Sequence, residues 1–139
     1  TPDQVARYQG KLSGPLLDRI DLHVEVPHLP AEDLLNAPAG EASSTVRERV
    51  ARAHALALAR QGTPNQALQG QQLDRMAAPD EAAARFLQTA AARMGWSARG
   101  THRALKVART IADLAASEQV GVAHVAEAVQ YRRVLRATV

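Results

Sequence analysis

The sequence has no cysteine, and its aromatic side chains are limited to one Trp, two Tyr and one Phe. The absence of cysteine excludes disulfides, thiolate metal sites and cysteine nucleophiles. Aromatics make up 3% of the chain against 46% apolar residues overall, so a core has to be assembled from Ala, Leu and Val. Ala and Leu favour helices, whereas strand-rich chains carry more aromatic and β-branched residues, and a mainly α fold is expected. No apolar run approaches the ~20 residues of a membrane-spanning helix, and no signal peptide is visible. The expectation is a cytoplasmic protein with no membrane partner.

Catalytic signatures are missing as well. The one Gly-Lys pair, Gly10-Lys11, is followed by Leu12 instead of Ser or Thr, and Val5 stands where a phosphate-binding loop needs its first glycine. There is no Gly-x-Gly-x-x-Gly. The histidines, His23, His28, His54, His102 and His124, are never spaced i, i+4 on an expected helix and have no carboxylate at ligand spacing, so no metal site is expected. Ser13, Asp18 and His23 can be written as a triad, but nothing positions them. By itself this chain is not expected to hydrolyse ATP or to hold a cofactor.

What is present is charge with a direction. The net charge is +3 over 139 residues. Residues 1–42 hold three basic and seven acidic side chains, 43–96 seven and four, and 97–139 seven and three. Fifteen of the seventeen basic residues are Arg, which suits bidentate contact with phosphate or carboxylate, although a Lys-poor, Ala-rich chain can also reflect genome composition.

The periodicities give the organisation. Residues 3–19 read as a short helix, a break at Ser13-Gly14-Pro15 and one further turn. Residues 20–26, Ile-Asp-Leu-His-Val-Glu-Val, alternate apolar and polar and read as a half-buried strand ended by Pro27 and Pro30. One strand alone cannot satisfy its backbone, so it implies a sheet supplied from elsewhere. One helical turn fits 31–36. A helix is expected over 45–61, with Thr45 and Glu48 as a capping box and Val46, Val50, Ala53 and Ala57 on one face. Residues 63–78 are ambiguous, with a short helix near 73–76. A helix over 79–94 places Pro79 in its first turn and carries an Ala83, Phe86, Leu87, Ala90, Ala91, Met94 stripe. Ser97 caps a helix over 98–115, whose Ala104, Val107, Ala108, Ile111, Ala112, Ala115 stripe leaves Arg99, Arg103, Lys106 and Arg109 on the opposite side. A last helix spans 122–135, with Val122, Val125, Ala126 and Val129 inward. The stripes from 79 onward can close a small bundle.

Two stretches are specific: Lys11-Leu-Ser-Gly-Pro-Leu-Leu-Asp-Arg-Ile-Asp-Leu-His-Val-Glu-Val-Pro27, and Trp96-Ser-Ala-Arg-Gly-Thr-His-Arg-Ala-Leu-Lys-Val-Ala-Arg-Thr-Ile-Ala-Asp-Leu114 followed by Glu127-Ala-Val-Gln-Tyr-Arg132. Together they resemble the C-terminal part of magnesium-chelatase-like AAA+ ATPases, most closely the competence-associated (ComM/YifB-type) branch. The resemblance implies that residues 1–42 are the end of an ATPase core, with its arginine-finger segment and last strand, and that 43–139 are a helical lid. It assigns Arg19 as an arginine finger acting on a neighbouring subunit and Arg99 as the sensor-2 arginine. It further implies partners: the N-terminal ATPase core of the same protein, neighbouring subunits in a hexameric ring, and DNA. Mg-ATP would be bound by the full-length protein, an ATP-driven motor on branched DNA in recombination or natural transformation. A start at Thr1, inside a motif, is expected of a piece of a longer protein.

Other readings stay open. Arg19 can pair with Asp18 or Asp21 on the surface. Arg99 can belong to a solvated cationic face, and Arg109 can bind an acidic partner inside the fold. Trp96 reads as core or hinge packing. The chain as a whole can be a stand-alone helical DNA-binding module with Arg99, Arg103, Lys106 and Arg109 on phosphates, a magnesium chelatase subunit, or a domain whose helices only build ring contacts.

Overall fold

Alanine-rich stripes at helical spacing dictate most of what forms. The computed structural model describes residues 1–132. Its helices are α1 (Pro2–Gly10), α2 (Gly14–Arg19), α3 (Ala31–Asn36), α4 (Ser43–Gln61), α5 (Gly70–Met76), α6 (Glu81–Met94), α7 (Ala98–Leu114) and α8 (Val122–Gln130), with a 3-10 turn at Asn65–Ala67. Among the described residues no strand or sheet forms, and no helix is long and apolar enough to cross a membrane. The protein is mainly α.

The core lies in α5–α8. Leu68, Leu73, Ala77, Ala83, Leu87, Ala104, Leu105, Ala108, Ala112, Val120, Val125, Ala128 and Val129 form one buried cluster, with Met76, Met94, Trp96, Val107 and Ile111 packed against it. Helix α7 is central and packs on both α8 and α4, while α6 packs on α8. The ambiguous stretch 63–78 turns out to be structural. It delivers Leu68, Leu73 and Ala77 to the cluster, each at most 1% exposed.

Local rules set the ends of these helices. Asp80 caps α6 by accepting from the Ala83 N–H at 2.8 Å. This corrects the expected start at Pro79, which lies outside the helix and forms a parallel bridge to Val120. Ser97 caps α7 as expected, accepting from the Gly100 N–H at 3.2 Å. The Thr45–Glu48 capping box does not form: α4 begins at Ser43 after Ala42 and has no side-chain cap, leaving both residues inside its first turns. Val46 and Val50 are exposed, and only Ala53 and Ala57 of that face are buried, because the first half of α4 extends past the bundle. The stretch of the last expected helix beyond 132 lies outside the described residues.

Residues 20–26 are extended without a ladder. Among the described residues there is no strand to pair with them, and Leu22, Val24 and Val26 stay exposed. None of α1, α2 or α3 has a buried residue. The alternation in the sequence therefore describes a face that this chain alone does not cover.

Arg109 corrects the expected cationic face. It is 2% exposed and forms an ion pair with Asp113 one turn later at 3.0 Å. Its other donors hold the carbonyls of Glu118 at 2.8 Å and Ser117 at 2.7 Å. From α4, Arg60 reaches both Asp113 oxygens at 2.7 and 3.0 Å. Asn65 donates to Asp113 at 2.9 Å and to the Thr110 hydroxyl at 3.1 Å. One carboxylate thus joins α4, the 65–67 turn, α7 and the α7–α8 loop. Burial pushes the Asp113 carboxyl up, but the hydrogen bonds from Arg60 and Asn65 and the Arg109 charge outweigh it, and the net result lies below the usual Asp value. Burial, only partly offset by Asp113, lowers the Arg109 pKa from its ordinary value.

The loop that Arg109 grips carries strain. Helix α7 ends in a Schellman arrangement, with Ser117 N–H on the Ala112 carbonyl at 2.8 Å and Ala116 N–H on the Asp113 carbonyl at 3.0 Å. The left-handed residue there is Ala116 at φ 53°, where glycine is the usual occupant.

Two outcomes follow. Asp113→Ala strands the Arg109 charge and is expected to lower unfolding free energy by about 3–5 kcal/mol in denaturant titrations at pH 7. Because the folded pKa of Asp113 is depressed, its contribution is present above the unfolded value of about 3.9 and is lost as pH falls through the lower folded value. The gap between parent and variant should therefore close on acidification below about pH 4. Ala116→Gly, by contrast, relieves the left-handed strain and is expected to raise stability by about 1 kcal/mol, read as a higher Tm.

Candidate functional site

Two elements carry the residues that the sequence singles out. Helix α2 is set by Ser13, whose hydroxyl accepts from the Leu16 N–H at 3.2 Å, and by proline in its first turn. Arg19 closes it, and Ile20 turns the chain into the extended conformation. Arg19 is exposed, and its guanidinium has no hydrogen bond or ion pair among the described residues. The expected alternatives, pairing with Asp18 or Asp21, are not what forms.

Arg99 stands in the first turn of α7, two residues after the Ser97 cap. A helix N-terminus carries roughly half a positive charge and disfavours a cation there. Arg99 is nonetheless exposed and likewise without a partner among the described residues. A guanidinium without a partner among the described residues, carried on a positive helix end, is suited to an anion. The other cations of α7 are engaged. Arg103 donates to the Arg19 carbonyl at 3.0 Å and to Asp21 at 2.8 Å. Lys106 donates to the Gln66 carbonyl at 3.1 Å. Arg109 is buried in the Asp113 node.

Arg99, His102, Arg103 and Lys106 line one wall of an open groove. Its other walls come from Asp21 and Leu22, the 66–70 segment, and Glu127 and Tyr131. The structure brings the two singled-out arginines onto elements that touch, since α2 contacts α7. Arg103, one turn after Arg99, holds the backbone of Arg19 itself.

Sequence reasoning missed Arg132. It follows α8, is 6% exposed, and lies over the Trp96 ring with its guanidinium carbon 5.5 Å from the ring centroid. It donates to the Ile20 carbonyl at 3.4 Å and approaches Asp18 at 3.9 Å. Beside it, the His23 N–H bonds the Tyr131 carbonyl at 2.7 Å. The His23 imidazole is held below its usual pKa by burial and, after that, by the Arg132 charge. The available signal was the pairing of Trp96 with the terminal Arg of the second motif, but nothing in sequence spacing says that residues 36 apart will stack. Trp96 is packing, as expected. Exposed pairs such as Arg103–Asp21 contribute about 0–1 kcal/mol each, so the junction of 18–23 with the bundle is held by several modest contacts. No group of His, Cys, Asp and Glu suited to a metal occurs among the described residues.

Comparison with known proteins agrees with this layout. The family model described as "Magnesium chelatase, subunit ChlI C-terminal" matches residues 40–132, and that described as "Magnesium chelatase, subunit ChlI" matches residues 1–34. The chain is 42% identical over 137 residues to "Competence protein ComM" of Haemophilus influenzae, covering 98% of this chain and 27% of the relative. It is also 42% identical over 138 residues to the protein YifB of Salmonella typhimurium, covering 98% of this chain and 27% of the relative. Against the protein Mb2921c of Mycobacterium bovis it is 43% identical over 132 residues, covering 91% of this chain and 26% of the relative. The chain thus spans about a quarter of the length of these relatives. With the C-terminal model matched across the whole bundle and the preceding one across α1–α3, the chain belongs to the family of the magnesium chelatase subunit ChlI.

Proposed function

We propose that this chain is the C-terminal, nucleotide-sensing region of a ring-forming ATPase. Residues 1–42 would close an ATPase core supplied by the rest of the protein, and 43–139 would form its helical lid. The observation that carries this reading is the state of the arginines. Among the described residues, Arg19 and Arg99 are the exposed guanidiniums of α2 and α7 that make no hydrogen bond or ion pair, while Arg103, Lys106 and Arg109 beside them are all bound within the fold.

Phosphoryl transfer spreads negative charge over the γ-phosphate oxygens, and fixed guanidiniums stabilise that charge. Arg99, backed by the α7 N-terminus, is suited to sense the terminal phosphate of Mg-ATP. Arg19, at the tip of α2, is suited to enter a neighbour's site. A head-to-tail contact of that kind is heterologous and can close a ring, with a hexamer as the expected size. Loss of the phosphate contact would let α7 and the lid rotate as a body. The chain's likeness to a competence protein supports a cytoplasmic motor acting on branched DNA in recombination or natural transformation. The family's own description keeps magnesium chelatase as the second reading.

The engaged cations of α7 argue against a stand-alone DNA-binding module, which needs Arg99, Arg103, Lys106 and Arg109 all free for phosphates.

In the protein at the length of its relatives, Arg19→Ala is expected to lower ATP turnover about 10³-fold or more with rings intact. Turnover within a few-fold of the parent would remove the finger assignment.

A further inference from the structure

Segment 18–23 has little to hold it in place. Neither α1 nor α2 nor α3 contributes a buried residue, and Ile20 and Leu22 are exposed. Yet the segment is gripped at consecutive points. Arg103 takes the carbonyl of Arg19 and the carboxylate of Asp21, Arg132 takes the carbonyl of Ile20 and lies against Asp18, and the Tyr131 carbonyl takes the His23 N–H. The two arginines act on main-chain carbonyls, so they fix the path of the chain whatever side chains it carries.

Both grips are referenced to the turn that bears Arg99. Arg103 is four residues along α7, on the same face of the helix. Arg132 is wedged between Trp96, immediately before the Ser97 cap, and Gly100, where any Cβ would lie 3.3 Å from its Nη2. Its planar guanidinium can stack on the indole and donate from its edge at the same time, which an ammonium cannot do. A rotation of the first turns of α7 therefore carries Trp96, Arg103 and Arg132 with it, and through them the backbone of Arg19.

We propose that Arg103 and Arg132 are positioning residues that latch segment 18–23 to α7, so that Arg19 and Arg99 move as one unit. This rests on the reading of those two arginines as finger and sensor. In a ring, Arg19 serves the neighbour's nucleotide. The latch then ties the setting of Arg19 to whichever nucleotide Arg99 contacts. The link is mechanical and lies within one chain.

The test has two arms. In the 139-residue chain, amide hydrogen exchange is measured at His23 and at Leu105–Ala112 for Arg103→Ala with Arg132→Lys. Exchange at His23 is expected to speed up about tenfold or more while the α7 amides keep their protection. Unchanged His23 protection overturns the latch. If the α7 amides also lose protection, the same reading is taken from Arg103→Ala alone, which removes the donor to the Arg19 carbonyl and leaves the Arg132–Trp96 stack in place. In the protein at the length of its relatives, Arg103→Ala is expected to lower kcat for ATP about 10²-fold with KM unchanged, and Arg103→Lys, which can still donate to the Arg19 carbonyl, to recover part of it. An unchanged kcat in Arg103→Ala beside a collapsed kcat in Arg19→Ala overturns the coupling. An unchanged kcat in Arg19→Ala overturns the finger reading instead, and the exchange arm still decides the latch.

Discussion

The placement of α4, the 65–67 turn and the α7–α8 loop against α7 is organised around one buried carboxylate. Asp113 is shared by Arg109 in its own helix, Arg60 in α4 and Asn65 in the turn between α4 and α5. A buried ion pair is weak evidence for net stability, because desolvation offsets most of the attraction. Its value here is geometric. Helix α4 buries only Ala53 and Ala57, too little apolar surface to fix its position by itself. The bidentate Arg60 contact supplies direction where packing does not. Arg109 meanwhile donates to two carbonyls of the α7–α8 loop, beside the left-handed Ala116.

A second consequence concerns how charge is divided along α7. From Arg99 to Arg109 the helix presents four cations, and in a sequence they look alike. The structure gives them different duties. Arg109 holds the fold, Lys106 ties down the 65–67 turn, Arg103 holds the neighbouring segment, and Arg99 has no partner among the described residues. Such a division of duties is a pattern that net charge alone could never reveal.

The legible parts of the sequence were those governed by local rules. Ser97 caps α7 as its position promises, Gly95 ends α6 in the left-handed conformation, and the Ala104–Ala108–Ala112 stripe is buried. What could not be read depended on distant partners. Arg109 was legible only as one of two alternatives, an outward cation or an inward one with an acidic partner, and the structure takes the second, with Asp113. The 63–78 stretch lacks a period because it contributes one residue per turn to a cluster built by others. The alternation of 20–26 is real, but a ladder needs a second strand, which the described residues do not contain. Arg19 and Arg99 were singled out through a resemblance. The structure adds that neither has a partner among the described residues, and that the backbone of one is tethered one turn from the other.

The bundle's preference for alanine has a further effect. Ala77, Ala83, Ala104, Ala108, Ala112 and Ala128 are each at most 1% exposed, so the helices meet across methyl groups. These positions have no long side chain to shorten and little room to enlarge one. Replacement by a bigger residue pushes two helix backbones apart instead of filling a gap. The tolerance at these alanines is therefore one-sided and bounded from above in volume, while the Leu and Val members of the same cluster are bounded from below.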